Sequence, residues 1–217
     1  MKKQLILLLL SIGFINAILA QHDRNSANAY MHKSSEEELI QSFESEERDA
    51  YQHPEKVLKY LGKIKGKSIM DLGAGSGYFS IRLAKTGAKV ISADVNEKFQ
   101  AYLKERITKE KISNLELRKI PYDNPMLEAE EVDLVLTVNT YHHIENRSEY
   151  FSKVKSGIKK GGELIIIDFF KAEIPVGPPN DHKVSIDEVI SELKEAGYKD
   201  FTIDVNLLPY QFIIKAK

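Results

Sequence analysis

The stretch that most limits what this chain can fold into is Ile69-Met70-Asp71-Leu72-Gly73-Ala74-Gly75-Ser76-Gly77-Tyr78-Phe79-Ser80. An apolar run ends in an acid, three alternating glycines follow, and an amphipathic segment begins. That order reads as strand, tight turn and helix, the opening unit of a nucleotide-type α/β domain. Glycines at 73, 75 and 77 allow positive φ and let a ligand lie against the main chain without meeting a Cβ. A dinucleotide fingerprint, Gly-x-Gly-x-x-Gly, needs glycine at position 78, where this chain has Tyr78. Asp71, two residues before the first glycine, is awkward beside a pyrophosphate and suits a sulfonium or an amino group.

Downstream, short apolar runs alternate with helical periodicity. Strands are expected at Ser68–Leu72, at Val90–Ala93 ending on Asp94, at Leu115–Leu117 as a half-buried edge, and at Val132–Asn139. Another is expected at Leu164–Ile167, reaching Asp168 and Phe169, and a closing hairpin pairs 201–205 with 210–214. Helices are expected after Tyr78, through Phe99 and Leu103, from about Glu145 to Lys159 with Lys160-Gly161-Gly162 as its stop, and after Ser185 with Glu188 completing a capping box. Pro175, Gly177, Pro178 and Pro179 exclude regular structure from the connection 171–184. Alternating strands and helices imply a parallel sheet covered on both faces, and a terminal hairpin requires the last strand to run antiparallel.

The acid and glycine turn, with Asp94 downstream, resembles motif I of the class I S-adenosylmethionine-dependent methyltransferases. The resemblance runs from about Glu46 to the C-terminus. The runs 47–51, 139–143 and 177–179 are similar to a bacterial subgroup of generic methyltransferase-domain proteins, many with signal-like leaders. It implies a Rossmann-like three-layer α/β sandwich: a seven-stranded, mostly parallel sheet with the last strand antiparallel, and an N-terminal helical lid. It also implies S-adenosyl-L-methionine as cofactor, held by Asp71, Gly73, Ala74, Gly75, Gly77, Asp94, Val95, Asp123 and Asn139. Asp94 would accept both ribose hydroxyls, Val95 would pack on the adenine edge, and Asp71 would hold the donor amino group. Asp123 stands where the adenine amine is often bound, although a ligand-free turn explains it as well. An Asp94 that merely caps the following helix is the plain alternative there.

Asn139-Thr140-Tyr141-His142-His143 follows a central strand and therefore lies at the mouth of the site. His142 or His143 is the expected general base on an acceptor hydroxyl or amine, because imidazole titrates near neutral pH. The plain alternative buries one histidine against backbone and uses the other as a helix cap. Adjacent histidines are expected to point apart, which argues against a metal site. Asp168 is a weaker candidate for the acceptor side, and His182 and Tyr210 could border it.

Residues 1–20 read as a secretory signal, with Lys2 and Lys3 before an apolar centre and Ala20 as the cleavage residue. Export is expected, with an uncleaved membrane anchor as the alternative. Residues 21–35 are polar and aperiodic and read as an arm, and 36–65 as the helical lid, with helices at 36–43 and around Val57, Leu58 and Leu61. The stretch 45–54 between them is either a solvated turn or a segment bringing Arg48, Asp49 and Tyr51 to the site. The catalytic domain is expected over 66–217. A net charge of −1 disfavours a nucleic-acid partner, so the expected partner is a small-molecule methyl acceptor. The chain has no cysteine, which excludes disulfides and thiol nucleophiles. Two rival readings stay open: a nicotinamide-dependent oxidoreductase, and an exported protein that binds an adenosyl ligand without turnover. The second is serious because the methyl donor is made in the cytoplasm.

Overall fold

The computed structural model describes residues 34–217. The leader and most of the arm lie outside the described residues. In chain order the elements begin with helices α1 (Glu36–Phe43), α2 (Glu46–Gln52) and α3 (Pro54–Leu61). The alternating part follows: β1 (Ser68–Leu72), α4 (Tyr78–Lys85), β2 (Lys89–Asp94), α5 (Glu97–Glu110), β3 (Leu115–Lys119) and β4 (Val132–Val138). The chain closes with α6 (Arg147–Gly157), β5 (Ile158–Phe169), α7 (Ile186–Glu195), β6 (Phe201–Asp204) and β7 (Gln211–Ala216).

The seven strands form one sheet in the order β3-β2-β1-β4-β5-β7-β6. β1, β2, β3, β4 and β5 pair in parallel, and β7 inserts antiparallel between β5 and β6. The order reverses between β1 and β4, so a crevice opens at their carboxyl ends, where open α/β sheets bind ligands. Apolar residues cover both faces. Ile69, Val90, Leu134 and Ile165 pack with Val57, Phe79 and Leu83 from α3 and α4. Met70, Ile91, Val135 and Ile166 pack with Phe151, Val154, Val189 and Leu193 from α6 and α7. Burying two faces is why the central strands are near-continuous apolar runs. Among the described residues no helix is long and apolar enough to cross a membrane.

Four local expectations are corrected. The stretch 45–54 holds a third N-terminal helix, α2. Ser45 caps it by accepting from Arg48 N at 3.2 Å, acids fill its first turn, and left-handed His53 with Pro54 separates it from α3. The helix before β5 stops at Gly157 rather than near Lys159, because Ile158 already takes the extended backbone of β5. Lys160-Gly161-Gly162 therefore belongs to β5, where the register against β4 shifts between Val132↔Ile158 and Leu134↔Glu163. Only half of the capping box at α7 forms. Ser185 Oγ accepts from Glu188 N at 3.4 Å, while the Glu188 carboxylate turns to Arg147 and Lys171. Finally, the connection 171–184 contains one short 3-10 turn, Asn180–His182.

Candidate functional site

The glycine turn is held by its own main chain and by Asp94. The amides of Gly73 and Ala74 donate to the Ala93 carbonyl at 2.9 and 3.1 Å, and Gly77 N donates to Ala74 O at 2.9 Å. Gly75 N donates to Asp94 Oδ2 at 2.7 Å, and Asn96 N to Asp94 Oδ1 at 2.8 Å. Asp94 thus joins the turn to the start of α5 and does not cap that helix. Asn96 does, accepting from Lys98 N and Phe99 N. The carboxylate keeps acceptor capacity beyond these amides for a ribose hydroxyl.

The three glycines are required for different reasons. A Cβ on Gly77, at φ 84°, would lie 2.3 Å from Leu103 Cδ1, so this glycine serves the packing of α5. A Cβ on Gly73 would meet the Thr140 side chain at 2.3 Å, which ties the turn to the end of β4. Of the three, only Gly75 faces the lid: its Cβ would come 3.1 Å from the Phe43 ring.

Asp71 and Asp94 lie on one face of the sheet. Asp71 registers with Ser92, and Ile69 and Val90, two and four residues earlier on their strands, share the α3/α4 core. Ser80 Oγ donates to Asp71 Oδ2 at 2.6 Å and lies 3.0 Å from Ser92 Oγ. Burial pushes the Asp71 carboxyl up to about 6, opposed by the Ser80 hydrogen bond and the charge of Arg48, and reinforced by the neighbouring charge of Asp94. Burial also pushes Asp94 up, against the amides of Asn96, Gly75 and Val95. Two buried carboxylates that repel each other, with no Lys or Arg ion pair to either among the described residues, make a site suited to a cation. A donor carrying a sulfonium and an ammonium fits that chemistry, and a pyrophosphate does not.

At the ends of β4 and β5 the polar run divides. Asn139, left-handed at φ 55°, donates its main-chain N–H to Ile167 O at 2.8 Å. Its side chain joins a ring of amides: Asn139 Nδ2 donates to Gln52 Oε1 at 3.3 Å, Gln52 Nε2 to Gln211 Oε1 at 3.0 Å, and Gln211 Nε2 to Asn139 Oδ1. Gln52 and Gln211 are fully buried, so the ring locks α2 to the sheet. His142 is buried against Asp168, with Nδ1 at 2.8 and 3.0 Å from the two carboxylate oxygens. Asp168 also accepts from the amides of Phe169 and His142. Burial pushes the Asp168 carboxyl up, but the charge of His142 and these hydrogen bonds outweigh it and hold the group below the usual range. An ionised carboxylate only accepts, so Nδ1 carries the proton and Nε2 is the basic nitrogen. The ring of His143 lies 4.2 Å from that of His142, so the two histidines lie side by side and do not point apart as expected.

The lid brings Glu44, which sequence patterning did not single out, and it brings Arg48, Asp49 and Tyr51 to the glycine turn and the end of β5, as one of the two readings of 45–54 has it. Glu44 accepts from Ser76 Oγ at 2.6 Å and from Arg106 Nη1 at 2.7 Å, and Phe43 packs edge-on against Phe99 at 5.6 Å. Arg48 lies over the Tyr78 ring at 4.0 Å, Asp49 accepts from the Tyr78 hydroxyl, and Tyr51 stands 6.1 Å from Phe169. Asp123 is not drawn in. It sits on an exposed turn, and its carbonyl accepts from Lys153 Nζ at 3.0 Å. Val95 is half-buried beside the α6/α7 core. His182 belongs to the 3-10 turn, and Tyr210 contributes its carbonyl to Phe170 N at 3.1 Å.

The chain matches the methyltransferase-domain family over residues 63–205. It is similar to the crystal structure of a SAM-dependent methyltransferase from Aquifex aeolicus, at 28% identity and a TM-score of 0.78, covering 84% of this chain and 98% of that one. It is 23% identical to the ubiquinone biosynthesis O-methyltransferase of Acinetobacter baylyi, over 65% of this chain and 67% of that protein. It is 28% identical to the tRNA U34 carboxymethyltransferase of Haemophilus influenzae over 52% of this chain, but spans only 35% of that relative. The match takes in the glycine turn, both acids and the ends of β4 and β5. The chain belongs to the methyltransferase-domain family, among the class I S-adenosylmethionine-dependent methyltransferases that its glycine turn resembles.

Proposed function

We propose that this methyltransferase acts on a hydroxyl or amine of a small-molecule acceptor, with His142 as general base and Asp168 as the group that orients it. The observation that carries this reading is the buried His142–Asp168 pair at the carboxyl ends of β4 and β5. Bound S-adenosylmethionine supplies a methyl group already activated on a sulfonium. The chain therefore contributes mainly placement and exclusion of water. In this reading Asp71 and Asp94 hold the donor's cationic and ribose groups. His142 Nε2 takes the acceptor proton as the acceptor atom gains the methyl group, and the C–S electron pair stays on sulfur. Asp168 keeps the proton on Nδ1 and stabilises the imidazolium that forms.

The O-methyltransferase relative supports a small acceptor. The near-neutral net charge weighs against a polyanion such as the substrate named for the tRNA relative. Phe169, 6.5 Å from the His142 ring, and Tyr51, 6.1 Å from Phe169, favour an acceptor with an apolar or aromatic body. The test is release of S-adenosylhomocysteine over a panel of phenols, catechols and amines. With an acceptor that turns over, His142→Ala is expected to lower kcat by about 10²–10⁴ while leaving S-adenosylhomocysteine binding within twofold. Unchanged kcat in His142→Ala would remove the histidine from the mechanism. Donor binding without turnover on any acceptor would favour a non-catalytic adenosyl-binding protein.

A further inference from the structure

The sheet keeps opposite charges at its two ends. The buried acids Asp71 and Asp94 stand at the carboxyl ends of β1 and β2. At the amino ends, the segments 62–67, 85–89 and 109–114 that lead into β1, β2 and β3 carry Lys63, Lys65, Lys67, Lys85, Lys89, Lys109 and Lys111. Glu110 is the only acid in those segments. Main-chain contacts hold them side by side. Gly66 N donates to Gly87 O at 2.9 Å, Lys89 N to Lys67 O at 2.8 Å, and Val90 N to Asn114 O at 2.9 Å. Asn114 Nδ2 donates to Ala84 O and Ala88 O at 2.8 and 2.6 Å. All seven lysines are exposed. Lys85 takes Glu110 at 2.6 Å, and the other six have no ion pair among the described residues.

Lysines near helix ends complement the helix dipole, which accounts for Lys63, Lys85, Lys109 and Lys111. It does not account for Lys65, Lys67 and Lys89, which lie outside the last turn of any helix. Like charges gathered on one face repel one another, and an anionic partner relieves that repulsion. Every cation in these segments is lysine, a point charge without the planar fork of arginine. No large apolar side chain in them is exposed. Proteins that grip single-stranded nucleic acid set stacking aromatics beside the basic groove, and these segments carry none. A layer of many anionic headgroups needs only the charge.

We propose that this lysine face docks the protein on a membrane surface rich in anionic phospholipid. Docked so, the crevice at the carboxyl ends of the strands faces away from the bilayer, and donor and acceptor enter from water. The docking is independent of the acceptor and of the general base.

The experiment is co-sedimentation of the full chain with two vesicles, phosphatidylcholine alone and an equal mixture of phosphatidylcholine and phosphatidylglycerol. Three proteins are compared: the unmodified chain, K65Q/K67Q/K89Q, and K98Q/K119Q/K171Q, which makes the same charge change near the carboxyl ends of the strands. Any contribution of residues 1–20 is common to all three. The unmodified chain is expected to prefer the anionic vesicles, and to lose that preference at about 0.5 M salt. K65Q/K67Q/K89Q is expected to weaken binding to anionic vesicles by about tenfold or more, and K98Q/K119Q/K171Q by less than about threefold. Equal losses in the two variants, or no preference for anionic vesicles, would overturn the proposal. So would tighter binding of polyuridylate RNA than of anionic vesicles, which assigns the face to nucleic acid. Thermal unfolding checks that each variant is folded. If K65Q/K67Q/K89Q is not, the salt series on the unmodified chain decides, and binding to anionic vesicles that survives about 0.5 M salt overturns the proposal.

Discussion

Asp71 carries a conflict between folding and binding. Its carboxyl titrates near 3.8 when exposed and near 6 in the folded chain. Between those values the folded state holds more protons than the unfolded one, so this residue's contribution to stability falls as pH rises through the window. Asp71→Asn is therefore expected to stabilise the ligand-free protein at pH 7.5 by about 1–3 kcal/mol, with the gain shrinking as the pH is lowered towards 4. Urea unfolding across that pH range measures it, and a gain independent of pH would contradict the buried-charge account. The same substitution should weaken S-adenosylhomocysteine binding, because the donor's ammonium loses its anion. Asp71 was legible as an acid at the tip of β1 beside the glycine turn, because an apolar run that ends in an acid before glycines reads as a strand end. Its partner Ser80 was not, since a small polar residue inside an amphipathic helix gives no signal of what lies beneath it.

At the scale of elements, the glycine turn separates packing from binding. Gly77→Ala should destabilise the fold by about 2–4 kcal/mol, since a left-handed φ combines with overpacking against Leu103. Denaturant unfolding would show it, and a change under about 0.5 kcal/mol would contradict the packing role. The lid is held differently, by the partly buried Glu44–Arg106 pair and Ser76. An ion pair that keeps some contact with solvent contributes roughly 0–1 kcal/mol to global stability. Glu44→Ala is therefore expected to speed hydrogen exchange in α1 while moving the unfolding free energy by less than about 1 kcal/mol. Unchanged exchange in α1 would show that its other contacts, Phe43 on Phe99 and Glu36 with Lys98, hold it without Glu44. These contacts explain what sequence periodicity missed. Strands and their order of appearance follow from local apolar runs, but Gln52 and Gln211 meet across 159 positions, and nothing near either residue announces the other. Helix α2 was hidden because its exposed acids resemble a solvated turn, and the start of β5 because two glycines resemble a helix stop.

For the whole molecule, the reversal of strand order between β1 and β4 sets the site. It places Asp71 and Asp94 on one side of the crevice, and His142 with Asp168 at the ends of the neighbouring strands β4 and β5. The lid closes over the glycine turn, and the amide ring of Gln52, Asn139 and Gln211 fixes its base. On the proposed reading this crevice takes an adenosyl ligand bearing positive charge, with Asp94 at its ribose end. Titration of the full chain with S-adenosylhomocysteine and with NAD, repeated on Asp94→Ala, is the test. Binding of S-adenosylhomocysteine but not NAD, weakened about tenfold or more in Asp94→Ala, is the predicted result. NAD binding in preference to S-adenosylhomocysteine, or an unchanged affinity in Asp94→Ala, would contradict it.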